Sequence, residues 1–321
     1  MAEKFFIKIE EIKAWQDLLD KVLFKTFFHN IEWEEFLERN LKWLKFERYL
    51  YKDSALISFA RVGDKLVSHP FCEYGGPLPL IEKIDGKQFK EDLLSEFKES
   101  LKINLHPYLL NYFSNLGTED LKTWRKTYFV REPAISSFRY DIRHAIKKAE
   151  SREFHLEECR AKKDLEDFYR LYIKTIIRHK NIPLPFSFFQ FFIKSAKIFL
   201  LKSDKKIATG SIFLPNKPFI HYFITAADLS FRKEGVNHLL LWRVLEEHLK
   251  GDYSIMDLGA TREGSDLEIF KRGWRGSPYP IYEIGLEQGV KLRDSKLRSA
   301  LGFIPPFLMK KISPYLLKYK L

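Results

Sequence analysis

Along the first 130 residues, apolar positions recur at two different periods. "EEIKAWQDLLDKVL" and "WEEFLERN" space them three and four apart, as amphipathic helices do, whereas "LKFERYLY" and "SALISFARV" carry the pattern of strands. Gly63-Asp64 supplies a turn, so the second strand is expected to form a hairpin with "KLVSHPF". After Pro133, "SSFRYDIRHAIKKAESRE" predicts a helix capped by Ser136 or Ser137. It would set Ile142, Ile146 and Ala149 apart from a stripe of Arg139, Arg143 and Lys147, either a solvated basic face or one turned to phosphate or RNA. The second half repeats the mixture in another order. Helices are expected over "DLEDFYRLYIKTIIRHK", "FSFFQFFIKSA", "GVNHLLLWRVLEEHLK" and "LEIFKRGW", and strands over "KIFLLKS", "KIATGSIFLP", "PFIHYFITAA", "YSIMDLG" and "PIYEIGL". Meandering strands, a helix and further strands predict an α+β fold with a central, mostly antiparallel sheet and a domain boundary near Pro133. No repeat of identical residues is visible, so any duplication must be structural.

Composition narrows the class. The 321 residues exceed most single domains, and 45% apolar with 31% charged residues, 29 Phe and 15 Tyr describe a folded chain with an aromatic interior. Fifty-five Lys and Arg against 43 Asp and Glu leave +12, which favours anionic partners. Eight of those cations lie beyond residue 290 and face only Asp294. Two distant cysteines, Cys72 and Cys159, suggest neither a disulfide framework nor a cysteine metal site. No apolar run reaches about 18 residues and the start lacks an apolar signal core, so a cytoplasmic protein is expected. The wealth of Lys, Glu and Ile would suit a thermophile.

Four segments could carry chemistry. In "HPFCEYGGPLP", Gly75 and Gly76 either make a structural turn or let the backbone approach a ligand beside Glu73 and Tyr74. Arg178 and His179 end a helix, where cations also suit the helix dipole. "FRKEGVNHLLLW" joins a strand to a helix, a place where amide N–H groups can cradle an anion, and its Arg232-x-x-Gly235 matches part of an acetyl-CoA pyrophosphate loop, with Asn237 where that loop has Gly or Ala. The turn-rich "MDLGATREGSDLEIFKRGWRG" concentrates Asp257, Arg262, Lys271 and Trp274. The scattered histidines, among them His69, His106, His179, His221 and His238, read as packed or surface residues, and no metal spacing stands out.

Taken in order, "YGGPL", "RYDIRHAIKKAE", "FYRLYIKTIIRHKNIPLPFSFF", "NHLLLW" and the Asp257-x-Gly259, Phe270-Lys271, Trp274 and Gly276 pattern resemble the FemABX-type peptidyltransferases and their relatives in the GNAT acyltransferase superfamily. The resemblance implies two tandem GNAT-like domains, 1–135 and 136–290, with closing helices over 291–321 packed on the first. It also implies transfer of an acyl or aminoacyl group to an amine of an anionic, envelope-related acceptor such as a sugar peptide. Lys271, Asp257 and Glu73 would then be the catalytic set. Tyr74, Gly75, Gly76, Arg178, His179, Arg262 and Trp274 would hold the acceptor, and Arg232, Gly235 and Asn237 the donor. No tightly bound cofactor is expected; acyl-CoA and aminoacyl-tRNA are both open as donors. The long helical hairpin of relatives that use tRNA has no counterpart in the pattern. Glu73, Asp228, Asp257 or solvent would take the amine proton. The contrasting expectation is a noncatalytic module that binds nucleic acid or an anionic membrane surface through its charge, including a peripheral membrane contact through the basic tail.

Overall fold

The computed structural model describes residues 4–131, 133–248, 251, 253–286 and 305–320. The described residues fall into two compact units, within 4–126 with 279–286 and within 127–278 with 305–320.

In the first unit, β1 (Phe6–Lys8) is followed by helices α1 (Ile12–Leu19) and α2 (Ile31–Asn40). Then come β2 (Lys45–Tyr51), β3 (Ala55–Val62), β4 (Lys65–Val67), the short β5 (Leu78–Pro79) and β6 (Ile84–Asp85), helix α3 (Gly86–Glu96), β7 (Ser100–Asn104) and β8 (Phe113–Ser114). The hairpin predicted at Gly63-Asp64 is present, but β4 stops at Val67 because His69 and Phe71 take left-handed backbone, with φ 51° and 65°. The sheet order is β1-β2-β3-β4-β7, and a strand from far along the chain, β15 (Ser277–Leu286), continues it through the register Glu283↔Asn104 to Leu286↔Leu101. Only β4 and β7 run parallel among these main pairs.

The second unit opens with the end of β9 (Lys122–Val130), from Thr127 on, and α4 (Tyr140–Glu150). It continues through β10 (His155–Glu158), α5 (Lys162–Arg178), α6 (Phe186–Ser195), β11 (Lys197–Ser203), β12 (Lys206–Asn216), β13 (Phe219–Ala227), α7 (Val236–His248), β14 (Ile255–Asp257) and α8 (Asp266–Gly273). Its order is β10-β11-β12-β13-β14-β9, again with one parallel pair, β13 and β14. Both units therefore run strand, two helices, three meandering strands, helix and a fifth strand parallel to the fourth; the antiparallel sixth strand of the sheet is β15 in the first unit and β9, which precedes the rest in the chain, in the second. The duplication is structural, and the α+β class with mostly antiparallel sheets holds in each copy.

Aromatic residues fill the second unit as composition suggests. Leu165, Phe168, Tyr169, Tyr172 and Ile173 on α5 and Phe188, Phe189 and Phe192 on α6 are buried at helical spacing, while Ile142, Ile146 and Ala149 of α4 and Val244 and Leu245 of α7 belong to a second buried cluster with Ile220 and Tyr222 of β13. Each such side chain contributes roughly 1.5–3 kcal/mol when fully buried.

Three expectations give way here. The boundary does not fall at Pro133: the end of β9 pairs with β14 through Met256↔Val130 and Asp257↔Phe129, and "PIYEIGL", read as the last strand of the second domain, pairs with β7 of the first unit. Strand partners are non-local, so alternation along one segment reveals a strand and not its neighbour. The serine cap of α4 is absent; Ser136 and Ser137 lie in a 3-10 turn, Arg139 occupies the N-cap, and its backbone N–H donates to the Gly273 carbonyl. Finally, the described part of the tail, helix α9 (Pro306–Leu316), belongs to the second unit, not the first, and packs against α5. Met309, Ser313 and Leu317 form its buried stripe, and the Lys310 ammonium lies 5.1 Å from the Phe186 ring centre and 5.8 Å from that of Tyr169. Residues 291–304 lie outside the described residues. No helix among the described residues is long and apolar enough to cross a membrane.

Candidate active site

The parallel ladder of the second unit is short. It pairs Phe219↔Ile255, Ile220↔Met256 and His221↔Asp257, and there it ends, while β13 continues to Ala227. Past Asp257 the chain turns to β9, the Leu258 N–H donating to the Tyr128 carbonyl. The two parallel strands therefore part just beyond a polar pair. His221 Nδ1 lies 3.0 Å from Asp257 Oδ2, and both residues are buried. The other carboxylate oxygen accepts from Thr127 Oγ1 on β9 at 2.5 Å and from the Gly259 N–H at 2.8 Å.

Lys271 anchors the next stretch. Its side chain runs inward from α8, and the ammonium donates to the carbonyls of Gly259 at 2.7 Å and Ala260 at 3.1 Å. Gly259 is thus gripped twice, at its N–H by Asp257 and at its carbonyl by Lys271. The helix that carries Lys271 is well started: Ser265 Oγ accepts from the Glu268 N–H, and the Glu268 carboxylate accepts from the Gly264 N–H and the Tyr128 hydroxyl. Burial and that carboxylate push the Tyr128 phenol up to about 12.

The loop between β13 and α7 is a 3-10 turn, Leu229–Glu234, closed by Gly235 at φ 73°. A Cβ on Gly235 would stand 2.3 Å from the Ala145 carbonyl oxygen of α4, so close packing explains this glycine. Asn237 turns inward and accepts from the Thr209 hydroxyl at 2.6 Å, which ties α7 to β12. Arg232 and Lys233 are exposed beside the positive end of α7. Glu234 offsets part of this charge through Arg152 at 3.2 Å and Lys148 at 3.8 Å.

The remaining expected residues scatter. Arg178, His179 and Arg262 are exposed. Trp274 is wholly buried against Phe138, Phe270 and His238, so core packing takes the place of the expected substrate contact. Burial also pushes His238 down to about 4 and leaves it neutral in that stack. Glu73, Tyr74, Gly75 and Gly76 belong to the first unit. Among the described residues no group of three or more His, Cys, Asp or Glu could hold a metal. The approach of His221 to Asp257 is what sequence reasoning missed. Its signal was a lone polar side chain inside "FIHYFITAA", but its partner lies 36 positions away on a strand that only the fold brings alongside.

Residues 136–272 match the family model described as an Acetyltransferase (GNAT) domain. They form a GNAT domain. The segment spans α4 to α8 and so includes His221, Asp257, Lys271 and the loop before α7. No curated protein matches the sequence. Solved structures share the fold over nearly the whole chain. FemX is 14% identical, with a TM-score of 0.59, covering 87% of this chain and 97% of its own. L-PGS from Bacillus licheniformis is 13% identical, with a TM-score of 0.58, covering 91% and 96%. A conserved protein of unknown function from Bacteroides thetaiotaomicron is 10% identical, with a TM-score of 0.59, covering 87% and 99%.

The first, GNAT-like unit differs where its own parallel strands meet. After β4 the chain bulges out over residues 68–74 and returns, the Gly75 N–H donating to the Asn104 carbonyl and Gly75 bridging Leu105 in parallel. A Cβ on Gly75 would stand 2.3 Å from Ser68 Oγ, and the Gly76 N–H donates to that same hydroxyl at 2.7 Å. The two glycines are buried and seal the seam. Ionisable groups here point inward instead. Glu34 accepts from Arg48 Nε at 2.7 Å and from Ser58 Oγ at 2.6 Å, Ser58 Oγ lies 3.0 Å from His69 Nε2, and His29 packs edge-on against His69. Burial raises the Glu34 carboxyl to about 7 against the pull of Arg48 and Ser58, lowers His29 to about 3, and lowers His69 well below the ordinary imidazole value. Burial likewise pushes up the thiol of Cys72, and that of Cys159 to about 11, so neither is a ready nucleophile.

Proposed function

We propose that the protein transfers an acyl or aminoacyl group to an amine, that the GNAT domain of the second unit carries the reaction, and that the first unit serves as a closed, noncatalytic partner. The observation that carries the reading is the parting of β13 from β14 immediately past His221 and Asp257, within the matched domain. Beyond the open seam β13 leads to a turn with exposed Arg232 and Lys233 at the start of α7, a position suited to the phosphates of acyl-CoA or of the 3′ end of an aminoacyl-tRNA. FemABX-like specificity for an envelope-related sugar peptide fits the exposed Arg178 and Arg262, which offer cations to an anionic acceptor, and the exposed His179 next to Arg178 in the chain.

In this reaction the amine lone pair attacks the acyl carbon, negative charge gathers on the carbonyl oxygen, and fixed donors stabilise it. Lys271 acts at one remove. Its ammonium holds the carbonyls of Gly259 and Ala260 and so fixes the loop that follows β14. Thermal stabilisation of the purified protein with acetyl-CoA, longer acyl-CoAs, a nucleotide-linked sugar peptide and aminoacylated tRNA, at two salt concentrations, tests the reading. A salt-tolerant shift with an acyl-CoA assigns that donor. A shift with charged tRNA or the sugar peptide alone assigns peptidyl-transfer chemistry. Silence across the panel would favour a binding module without catalysis.

A further inference from the structure

Helix α9 has two faces of different character. Met309, Ser313 and Leu317 stand four positions apart and are buried, and the helix packs against α5. On the opposite side Leu308, Lys311 and Tyr315 stand three and four positions apart and are exposed, Leu308 by 41% and Tyr315 by 74%, with the exposed Lys310 beside them. The helix thus lies flat on the second unit, and its outer apolar side chains serve no interior. We infer that this outer face of α9 docks the protein on an anionic lipid bilayer. The helix axis lies along the surface, Leu308 and Tyr315 enter the boundary between headgroups and acyl chains, and Lys310 and Lys311 meet the lipid phosphates. This inference is independent of the acyl-transfer reading.

Charge selects the occupant. The chain has 43 Asp and Glu, yet none of them falls within residues 295–321, where six Lys and Arg lie. A face kept merely soluble intersperses both signs. A second copy of this chain seated on α9 would set lysine against lysine, and such like-charge contacts are costly. A nucleic acid would use the lysines for its phosphates and leave Leu308 in water. An anionic bilayer uses both classes of side chain at once, the cations at headgroup level and the leucine and tyrosine just beneath, with the phenol hydroxyl of Tyr315 still within reach of water. Lys310 already takes the posture such a surface needs. Its ammonium lies 5.1 Å from the ring centre of the half-buried Phe186 while the side chain stays exposed, so an apolar stem covers the protein and the charge faces out. With one helix and two apolar side chains to insert, the attachment is peripheral and reversible.

The test is flotation of the full chain with vesicles of phosphatidylcholine alone and of phosphatidylcholine mixed with phosphatidylglycerol, at low and at high salt, with an RNA duplex offered in a parallel binding assay. The wild type should float with the anionic vesicles, hardly with the neutral ones, and less at high salt. Replacing both cations, Lys310→Gln with Lys311→Gln, should weaken vesicle binding by about 25-fold, the product of roughly 5-fold for each lysine at such a surface. Leu308→Ser with Tyr315→Ser leaves the charge unchanged and should still weaken it by about 10-fold, a fraction of what full burial of two such side chains supplies. Both pairs lie on the exposed face, so thermal melts should match the wild type; should the lysine pair not fold, because Lys310 covers Phe186, Lys311→Gln alone decides through its 5-fold loss. A wild type that does not float, equal flotation of the wild type and both double variants, or equal binding to neutral and anionic vesicles would overturn the inference. So would capture of the RNA that ignores Leu308→Ser with Tyr315→Ser while no vesicle is bound, which would give the lysines to a nucleic acid instead.

Discussion

The two units of this chain share a strand order and differ at one seam. Where β4 meets β7, a bulge and two buried glycines restore the pairing and the ionisable groups are turned into the interior. Where β13 meets β14, pairing stops after three rungs and leaves a histidine and an aspartate at the point of separation. The difference teaches that the scaffold alone does not dictate what sits at this seam: one architecture supports a seam resumed by buried glycines and one whose ladder stops at a buried polar pair.

The largest expected effect is on folding. Glu34→Ala strands Arg48 without its carboxylate and should cost about 3–5 kcal/mol, the usual penalty for breaking a buried ion pair, read as a fall in urea midpoint. A loss below about 1 kcal/mol would break the view of the first unit as structurally committed. Next comes pH. Glu34 rises from 4.5 to about 7, so its folded form holds a proton that the unfolded chain has released; its contribution is full below pH 4.5 and is lost as pH climbs to 7. That amounts to about 3 kcal/mol at 1.36 kcal/mol per unit. His29 works the other way, since its fall from 6.5 to about 3 makes stability drop as pH falls through that range, and His69 adds in the same sense. Between pH 5 and 6.5 these slopes oppose each other. Glu34→Gln should therefore lose stability on acidification more steeply than the wild type, and parallel curves for the two proteins would refute the cluster's charge states.

Glycine substitutions sharpen the contrast at a smaller scale. Gly235→Ala forces a Cβ to within 2.3 Å of the Ala145 carbonyl oxygen as well as into left-handed backbone. It should cost more than Gly264→Ala, which has a similar φ and open space around it and pays only the roughly 1–2 kcal/mol of the backbone term. Equal costs in thermal melts would return Gly235 to an anion-binding explanation. The smallest effect belongs to Arg232→Ala. Stability should stay within about 0.5 kcal/mol, as for exposed sites generally, while binding of an anionic donor weakens in a salt-dependent way. Unaltered donor binding at low salt would remove this loop from the open unit's machinery.

Much of this fold is legible in the residues. Periodicity marks the helices and strands around Trp15, Trp33, Phe168 and Phe189, because burial of one face dictates composition locally. Pairing is not local, and three misreadings follow from that. The strand Ser277–Leu286 has no feature that names β7 as its partner, the tail's apolar stripe does not say which helix it will cover, and His221 gives no hint of Asp257. Lys271 and Asp257 stand out in their glycine-rich segment, whereas residue type alone does not decide the roles of Gly75, Gly76 and Trp274, for a common reason. A residue type that suits close approach to a ligand suits close approach to a buried neighbour equally well.

The exchange of sixth strands also sets a timetable for synthesis. The first unit cannot close its sheet until Leu286 has left the ribosome, long after its other strands are available, and until then β7 presents an open edge. The second unit meets no such delay, since its sixth strand, β9, emerges ahead of the others. The half of the chain made first is thus completed last, and any truncation before residue 277 leaves a full-length amino-terminal half with its edge exposed to aggregation.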